Sequence, residues 1–199
     1  MNFFQKTINK CCSTRSFSSK QRNNVDKITN LLFGKYLLAT NTGSSGLLMV
    51  VGDLISQEIE FRTGTLSERY NWKRSGNMFI VGAVRGPLLH YFYGWLDKTI
   101  KVVTFPNVTK KIILDQTIMS PITILAFFYP AGWLEGQSTG TINSELKDKI
   151  TKTYAMDWCV WPPAQFFNFY YVDPKFRVIY VNLVTIVYNI CLSYIKYET

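Results

Sequence analysis

The chain has 199 residues, of which 18% are charged and 16% aromatic; soluble domains of ordinary composition carry about 25% charge. The formal net charge is +9, yet no Lys/Arg run interleaved with aromatic residues appears, which argues against direct nucleic-acid binding. None of the four cysteines forms a Cys-x-x-Cys pair or a cluster with histidine, so neither a disulfide framework nor a metal site is expected.

Residues 1–17 carry Lys6, Lys10 and Arg15 and no acid. On a helix Phe4, Ile8, Cys11 and Cys12 share one face, with Lys6 and Lys10 opposite. A basic, Ser-rich, acid-free amphipathic leader has the character of a mitochondrial transit peptide, and a secretory signal would need an unbroken apolar stretch. The expected organisation is therefore a transit peptide over 1–17, a polar linker over 18–30 and a helical membrane domain over 31–199.

Within that domain, apolar blocks of about 20 residues alternate with short charged loops, as in polytopic helical membrane proteins. The first block runs from Leu31 to Leu54 and is interrupted by the small polar residues 41–46. Small and hydroxyl side chains are tolerated in spans, where they permit close helix contact. The second, Asn77 to Leu96, holds Arg85 near its middle, then Gly86-Pro87 and His90. After a loop with Phe105-Pro106-Asn107, the third runs from Ile112 to Trp133. Residues 139–153 read as a polar amphipathic loop, followed by the Trp/Pro-crowded stretch Tyr154–Tyr171 and a last block, Phe176–Ile195. The fold expected is all-α: a polytopic membrane bundle of four transmembrane helices, five if the Tyr154–Tyr171 stretch also spans, with that stretch kinked at its prolines. Charge does not fix the orientation, because the first two loops hold similar numbers of Lys and Arg.

The chemistry lies in what interrupts the apolar blocks. Asp53, Arg85, Asp115, Glu135 and Asp157 sit in or at the edge of them. Each charge costs about 2.5–3.5 kcal/mol at a bilayer centre, so they are expected to face one another or a hydrated cavity. Arg85 is the deepest and is expected to meet Asp53 or Asp115, with Gln57 and Gln116 adding hydrogen bonds. Asp157, Gln165 and Asn168 share about one helical face. His90 is a candidate for the same network. Trp158, Trp161 and Pro162 suit a headgroup-level helix entry. Two readings of these residues stand side by side: a polar path for a solute or ion, and a buried network that fixes helix packing. The signatures of zinc proteases, serine hydrolases, P-loops and dinucleotide folds are missing, so neither an enzyme nor a cofactor is expected.

One family carries the same markers in the same order: Gly52-Asp53-x-x-x-Gln57, Arg85-Gly86-Pro87-x-x-His90-x-x-Tyr93, Asp115-Gln116 with Ser120-Pro121, Glu135-Gly136, Asp157-Trp158-x-x-Trp161-Pro162-x-x-Gln165-x-x-Asn168-Phe169, Arg177-Val178 and Leu192-Ser193. Over roughly residues 45–196 the chain resembles the Mpv-seventeen family, also called the twenty-two-kilodalton peroxisomal membrane protein family. Phe105-Pro106-Asn107, Leu134-Glu135-Gly136-Gln137 and Asp157-Trp158-Cys159-Val160-Trp161-Pro162 are most similar to its branch of Mpv-seventeen-like protein two. Tyr188-Asn189 stands where many members have Trp-Asn. The resemblance implies four transmembrane helices, no catalytic activity and residence in the mitochondrial inner membrane, or alternatively the peroxisomal membrane. It further implies support of mitochondrial ribosome assembly and translation, with a small-solute or ion channel as the other reading. The partners implied are the lipid bilayer, the mitochondrial ribosome through its large subunit, and further copies of the chain.

Overall fold

The computed structural model describes the backbone of residues 26–197 and the side chains of residues 26–188. The expected transit peptide lies outside the described residues, as does most of the expected linker. The described residues fall into two compact units, divided between Thr40 and Asn41. In the first, residues 26–30 are helical and continue into a π-helical turn, Leu31–Lys35. Tyr36 breaks it, and Thr40 Oγ1 donates to the Leu32 carbonyl at 2.8 Å.

The second unit is built from α-helices: α1 (Leu37–Arg62, from Asn41 on), α2 (Trp72–Thr99), α3 (Phe105–Leu114), α4 (Ser120–Leu134), α5 (Thr139–Tyr171) and α6 (Arg177–Tyr197). A π-helical turn, Asp115–Met119, joins α3 to α4 without interrupting the rod. Local sequence sets the ends. Asn71 caps α2 by accepting from the Arg74 N–H, and Ser138 caps α5 by accepting from the Thr141 N–H. Gly64 and Gly136, with φ of 77° and 82°, take the left-handed turns that close α1 and α4.

Several expected boundaries change. Residues 41–46 do not interrupt the first helix; they are the surface on which α2 packs. A Cβ at Gly82 would stand 2.5 Å from the Ser45 carbonyl oxygen, and one at Gly86 2.7 Å from Thr42 Cα. The backbones approach closely because neither residue has a side chain. Residues 139–153, read as a loop, form the first half of α5. Beyond its Ser138 cap, Ile142 is buried against Gly132 and anchors the first turn. Pro162 and Pro163 lie inside the same helix, so the Trp/Pro stretch continues that rod and is not a separate segment.

The path of α5 follows from its neighbours. Asp97, at the end of α2, accepts from Lys111 in α3 at 2.6 Å and also pairs with Arg177, the first residue of α6. At the opposite end, Met78 near the start of α2 and Leu134 at the end of α4 pack in one cluster with Met49, Val81 and Ala131. Between Leu134 and Arg177, α5 must therefore return the chain along the full length of the bundle.

The distribution of polarity is the reverse of a soluble protein's. Asn41, Asp53, Gln57, Asp115, Gln116, Asp157, Gln165, Asn168 and Asn182 are buried, while Leu47, Val51, Ile80, Val84, Ile118, Ile122, Leu125, Leu183 and Val187 are exposed. Among the described residues one rod, Phe105–Leu134, is long and apolar enough to cross a membrane by length and composition. Only 28% of its apolar window is buried in the bundle, unlike the core helix of a soluble protein. An apolar core does persist at one level, where Leu89, Tyr93, Leu96, Val108, Met119, Phe169, Val178 and Val181 meet.

Candidate functional site: a buried polar interior

The expected site residues divide into groups at different levels of the bundle. Asp53 and Gln57 belong to the end where α1 meets α2. Arg74 Nε donates to Asp53 Oδ1 at 2.8 Å, and its two terminal nitrogens donate to Glu60 at 2.7 and 3.0 Å. Ser75 Oγ and Gln57 Nε2 complete the Asp53 carboxylate at 2.7 and 2.6 Å, and the Asn71 N–H donates to Gln57 Oε1. The expected pairing of Asp53 with Arg85 is therefore wrong. Arg74 lies one turn into α2, within reach of the α1 carboxylates, whereas Arg85 is eleven residues, about 16 Å, further along.

The second group occupies the middle. Gln165 on α5 donates to Asp115 Oδ2 at 2.8 Å and to Tyr93 Oη at 2.8 Å; Asn168 Nδ2 donates to Gln165 Oε1 at 2.7 Å. Gln116 Nε2 reaches the same Asp115 oxygen at 3.2 Å. About two turns before Gln165 on α5, Asp157 accepts from Ser120 Oγ at 2.6 Å and from Tyr188 Oη at 2.8 Å. The faces of α2, the π turn, α4, α5 and α6 thus converge on two carboxylates. The shared face expected for Asp157, Gln165 and Asn168 is found, and all three are buried.

Arg85 stands between these groups. Its Nε is buried without a hydrogen-bond partner among the described residues, and no ion pair to Asp115 forms. The guanidinium borders three cavities. One of about 10 Å³ is shared with Ser45, Gly82, Asn182 and Thr185. One of about 30 Å³ is shared with Asp115, Asp157 and Gln165. One of about 140 Å³ has a mixed lining, with Thr123, Thr153, Asp157, Thr185 and Tyr188 against Ile124, Phe127, Phe128 and Trp161. A polar cavity of 10–15 Å³ is roughly the least that holds a water. The larger two exceed that volume, and Asp157 lines both beside Arg85.

The remaining expected residues lie elsewhere. His90 Nδ1 faces Asn41 Nδ2 at 2.9 Å and ties α2 to α1. Glu135 is exposed at the end of α4, accepts from Gln137 Nε2 at 3.3 Å, and among the described residues does not join the network. Trp161 is half-buried, packs at 5.8 Å on Tyr188 and lines the two larger cavities; Trp158 is exposed, and Pro162 half-buried. Sequence reasoning missed Arg74, Asp97 and Lys111, and quoted Ser120, Arg177 and Tyr188 for the family resemblance without giving them a place in the network. Tyr93, one of the family markers, brings its hydroxyl to the same network, where it accepts from Gln165.

The family model described as the Mpv17 / PMP22 family matches residues 132–193, which include Asp157, Gln165 and Asn168. PXMP2/4 family protein 4 of Dictyostelium discoideum is 37% identical over 153 residues, covering 76% of this chain and 82% of the relative. Mitochondrial inner membrane protein Mpv17 of Danio rerio is 31% identical over 152 residues, covering 76% and 85%. Peroxisomal membrane protein 2 of Bos taurus is 29% identical over 160 residues, covering 76% and 79%. No solved structure matches the chain. With a relative more than 30% identical over most of both chains, and a polar interior inside an apolar exterior, this chain belongs to the Mpv17 / PMP22 family of membrane proteins.

Proposed function

We propose that the chain is a multi-pass protein of the mitochondrial inner membrane whose interior forms a conduit for small polar solutes or ions. The observation that carries this reading is the set of cavities meeting at Arg85, bounded by Asp115 and Asp157 inside a bundle with an apolar exterior. A network serving packing alone would satisfy its own donors, because an unsatisfied buried group costs stability. An arginine Nε without a hydrogen-bond partner among the described residues, beside cavities large enough for water, suits a passing solute. At about 30 Å³ the central cavity holds roughly one water, so the conformation corresponds to a closed conduit. The acid-free basic leader and relatives named as mitochondrial inner membrane proteins favour mitochondria; the peroxisomal membrane is the alternative, after the relative of that name.

Planar-bilayer recording of the purified chain tests the reading. Discrete conductance is expected, with ion selectivity altered in Arg85→Ala and in Asp157→Asn. Silent bilayers containing correctly folded protein would sink it.

Support of mitochondrial ribosome assembly, implied by the family resemblance, is the second reading. The exposed Lys98, Lys101 and Lys110 at one end of the bundle favour it as a tethering surface. Under it, the protein co-sediments with a mitochondrial ribosomal particle and follows one subunit when magnesium is chelated. Retention in light membrane fractions under both conditions would count against it.

A further inference from the structure

The two ends of the bundle carry different charge. The end holding the α1–α2 and α4–α5 connections, residues 53–75 and 135–152, has seven carboxylates and seven cations. Many are matched in space: Arg62 and Arg69 pair with Glu58, Arg74 with Asp53 and Glu60, and Lys149 with Glu145. The other end, residues 97–111 and 173–177, has Lys98, Lys101, Lys110, Lys111, Lys175 and Arg177 against only Asp97 and Asp173.

Pairing at this second end is already used up. Asp97 Oδ1 takes both Lys111 and Arg177, whose charges also lie over the Phe169 ring at 5.6 and 5.3 Å. Asp173 lies 3.7 Å from Lys175. Lys98, Lys101 and Lys110 are exposed and have no ion pair among the described residues. Exposed apolar side chains stand between and beside them: Trp95, Val102, Val103, Phe105 and Tyr171. Cations alone would suit any polyanion. Valines interleaved with lysines suit a bilayer interface, where aliphatic side chains enter the acyl boundary and lysine ammoniums reach back to phosphates.

We propose that this end of the bundle is a docking surface for anionic phospholipid headgroups in the leaflet that borders it. The chemistry recognised is the phosphodiester, and the charge asymmetry directs this end towards the leaflet richer in anionic lipid. The inference rests on the membrane-embedded reading and is independent of whether the interior conducts.

The test uses the full chain purified in mixed micelles with equal phosphatidylglycerol and phosphatidylcholine, and mass spectrometry of the lipid that co-purifies. Phosphatidylglycerol is expected to be enriched several-fold. Replacing the three exposed lysines together (Lys98→Gln, Lys101→Gln, Lys110→Gln) is expected to bring that enrichment down to near parity. The matching variant at the other end (Lys147→Gln, Lys149→Gln, Lys152→Gln) is expected to leave it unchanged. Equal retention of both lipids, or enrichment indifferent to the first variant, overturns the proposal. So does binding of polyuridylate through the same lysines without lipid enrichment, which would assign the surface to RNA. Failure of the membrane reading itself is read separately, as loss of the chain from phosphatidylcholine vesicles on an alkaline wash.

Discussion

Arg74 is the cation on which two buried carboxylates depend, whereas Arg85 forms no ion pair within 4 Å among the described residues. Removing the first strands Asp53 and Glu60, so Arg74→Gln is expected to destabilise the protein by about 3–5 kcal/mol, read as a lower unfolding temperature in detergent. Adding Asp53→Asn and Glu60→Gln to that variant should recover much of the loss, because neutral amides need no counter-charge. An unrecovered triple variant would show that Arg74 acts through packing instead. Asp115, Asp157, Gln165 and Asn168 were legible in the sequence because ionisable and amide groups inside apolar blocks are too expensive to face lipid. Ser120 and Tyr188 were not, since the same residue types serve equally as backbone-bonding hydroxyls and interfacial rings. Nor was the partner of Asp53: two candidate arginines lie on one helix, and only the axial level of α1 against α2 chooses between them.

The contact of α1 with α2 is where an element's packing can be tested by adding one methyl group. Gly86→Ala puts a Cβ 2.7 Å from Thr42 Cα, with backbone rather than a flexible side chain in its way. A loss of about 1–3 kcal/mol is expected. Gly94→Ala, on the same helix with nothing within 4 Å, should be neutral or stabilising by up to about 1 kcal/mol through helix propensity. Similar effects of the two substitutions would show that helix propensity, not close approach, decides this contact. The loop after α1 is tied down differently. Arg69 and Arg62 hold the Glu58 carboxyl down to about 2 from its ordinary 4.5. Because the folded value is depressed, this tie is fully present above 4.5 and is lost as pH falls through about 2. An NMR titration of the Glu58 carboxyl carbon should place its midpoint near 2 and move it upward in Arg69→Gln. The helical rods themselves were mostly legible from apolar block length. Residues 139–153 were not, although Ile142, Leu146 and Ile150 recur every fourth residue: a stripe narrow enough to pass for an amphipathic loop until Ser138 and Gly132 fix its start.

For the whole molecule, the sequence left open whether the Trp/Pro-rich stretch crosses the membrane or lies along its surface, since length and hydropathy allow both. Tertiary pairing favours a crossing. Asp97 meets both Lys111 and Arg177, so α6 begins at the end where α3 begins, and α5 must carry the chain back from the other end. Each long rod has at least 21 residues, about 31 Å of helix, which matches a hydrocarbon core of about 30 Å. Five antiparallel crossings around the Arg85 cavities would be one more than the family resemblance implies; by length and composition one rod among the described residues, Phe105–Leu134, passes for a span. The two arrangements differ at one connection. With five crossings the α4–α5 and α5–α6 connections lie on opposite sides of the membrane; with four, in which α5 only skirts the surface, they lie on the same side. Single-cysteine variants Lys149→Cys and Asp173→Cys separate them, both sites being exposed, in a background with Cys11, Cys12, Cys159 and Cys191 changed to Ser. Labelled in mitoplasts with a membrane-impermeant maleimide, one variant should react at once and the other only after the membrane is permeabilised. Equal labelling of both before permeabilisation would return α5 to the surface and leave the Gln165–Asp115 contact needing another explanation.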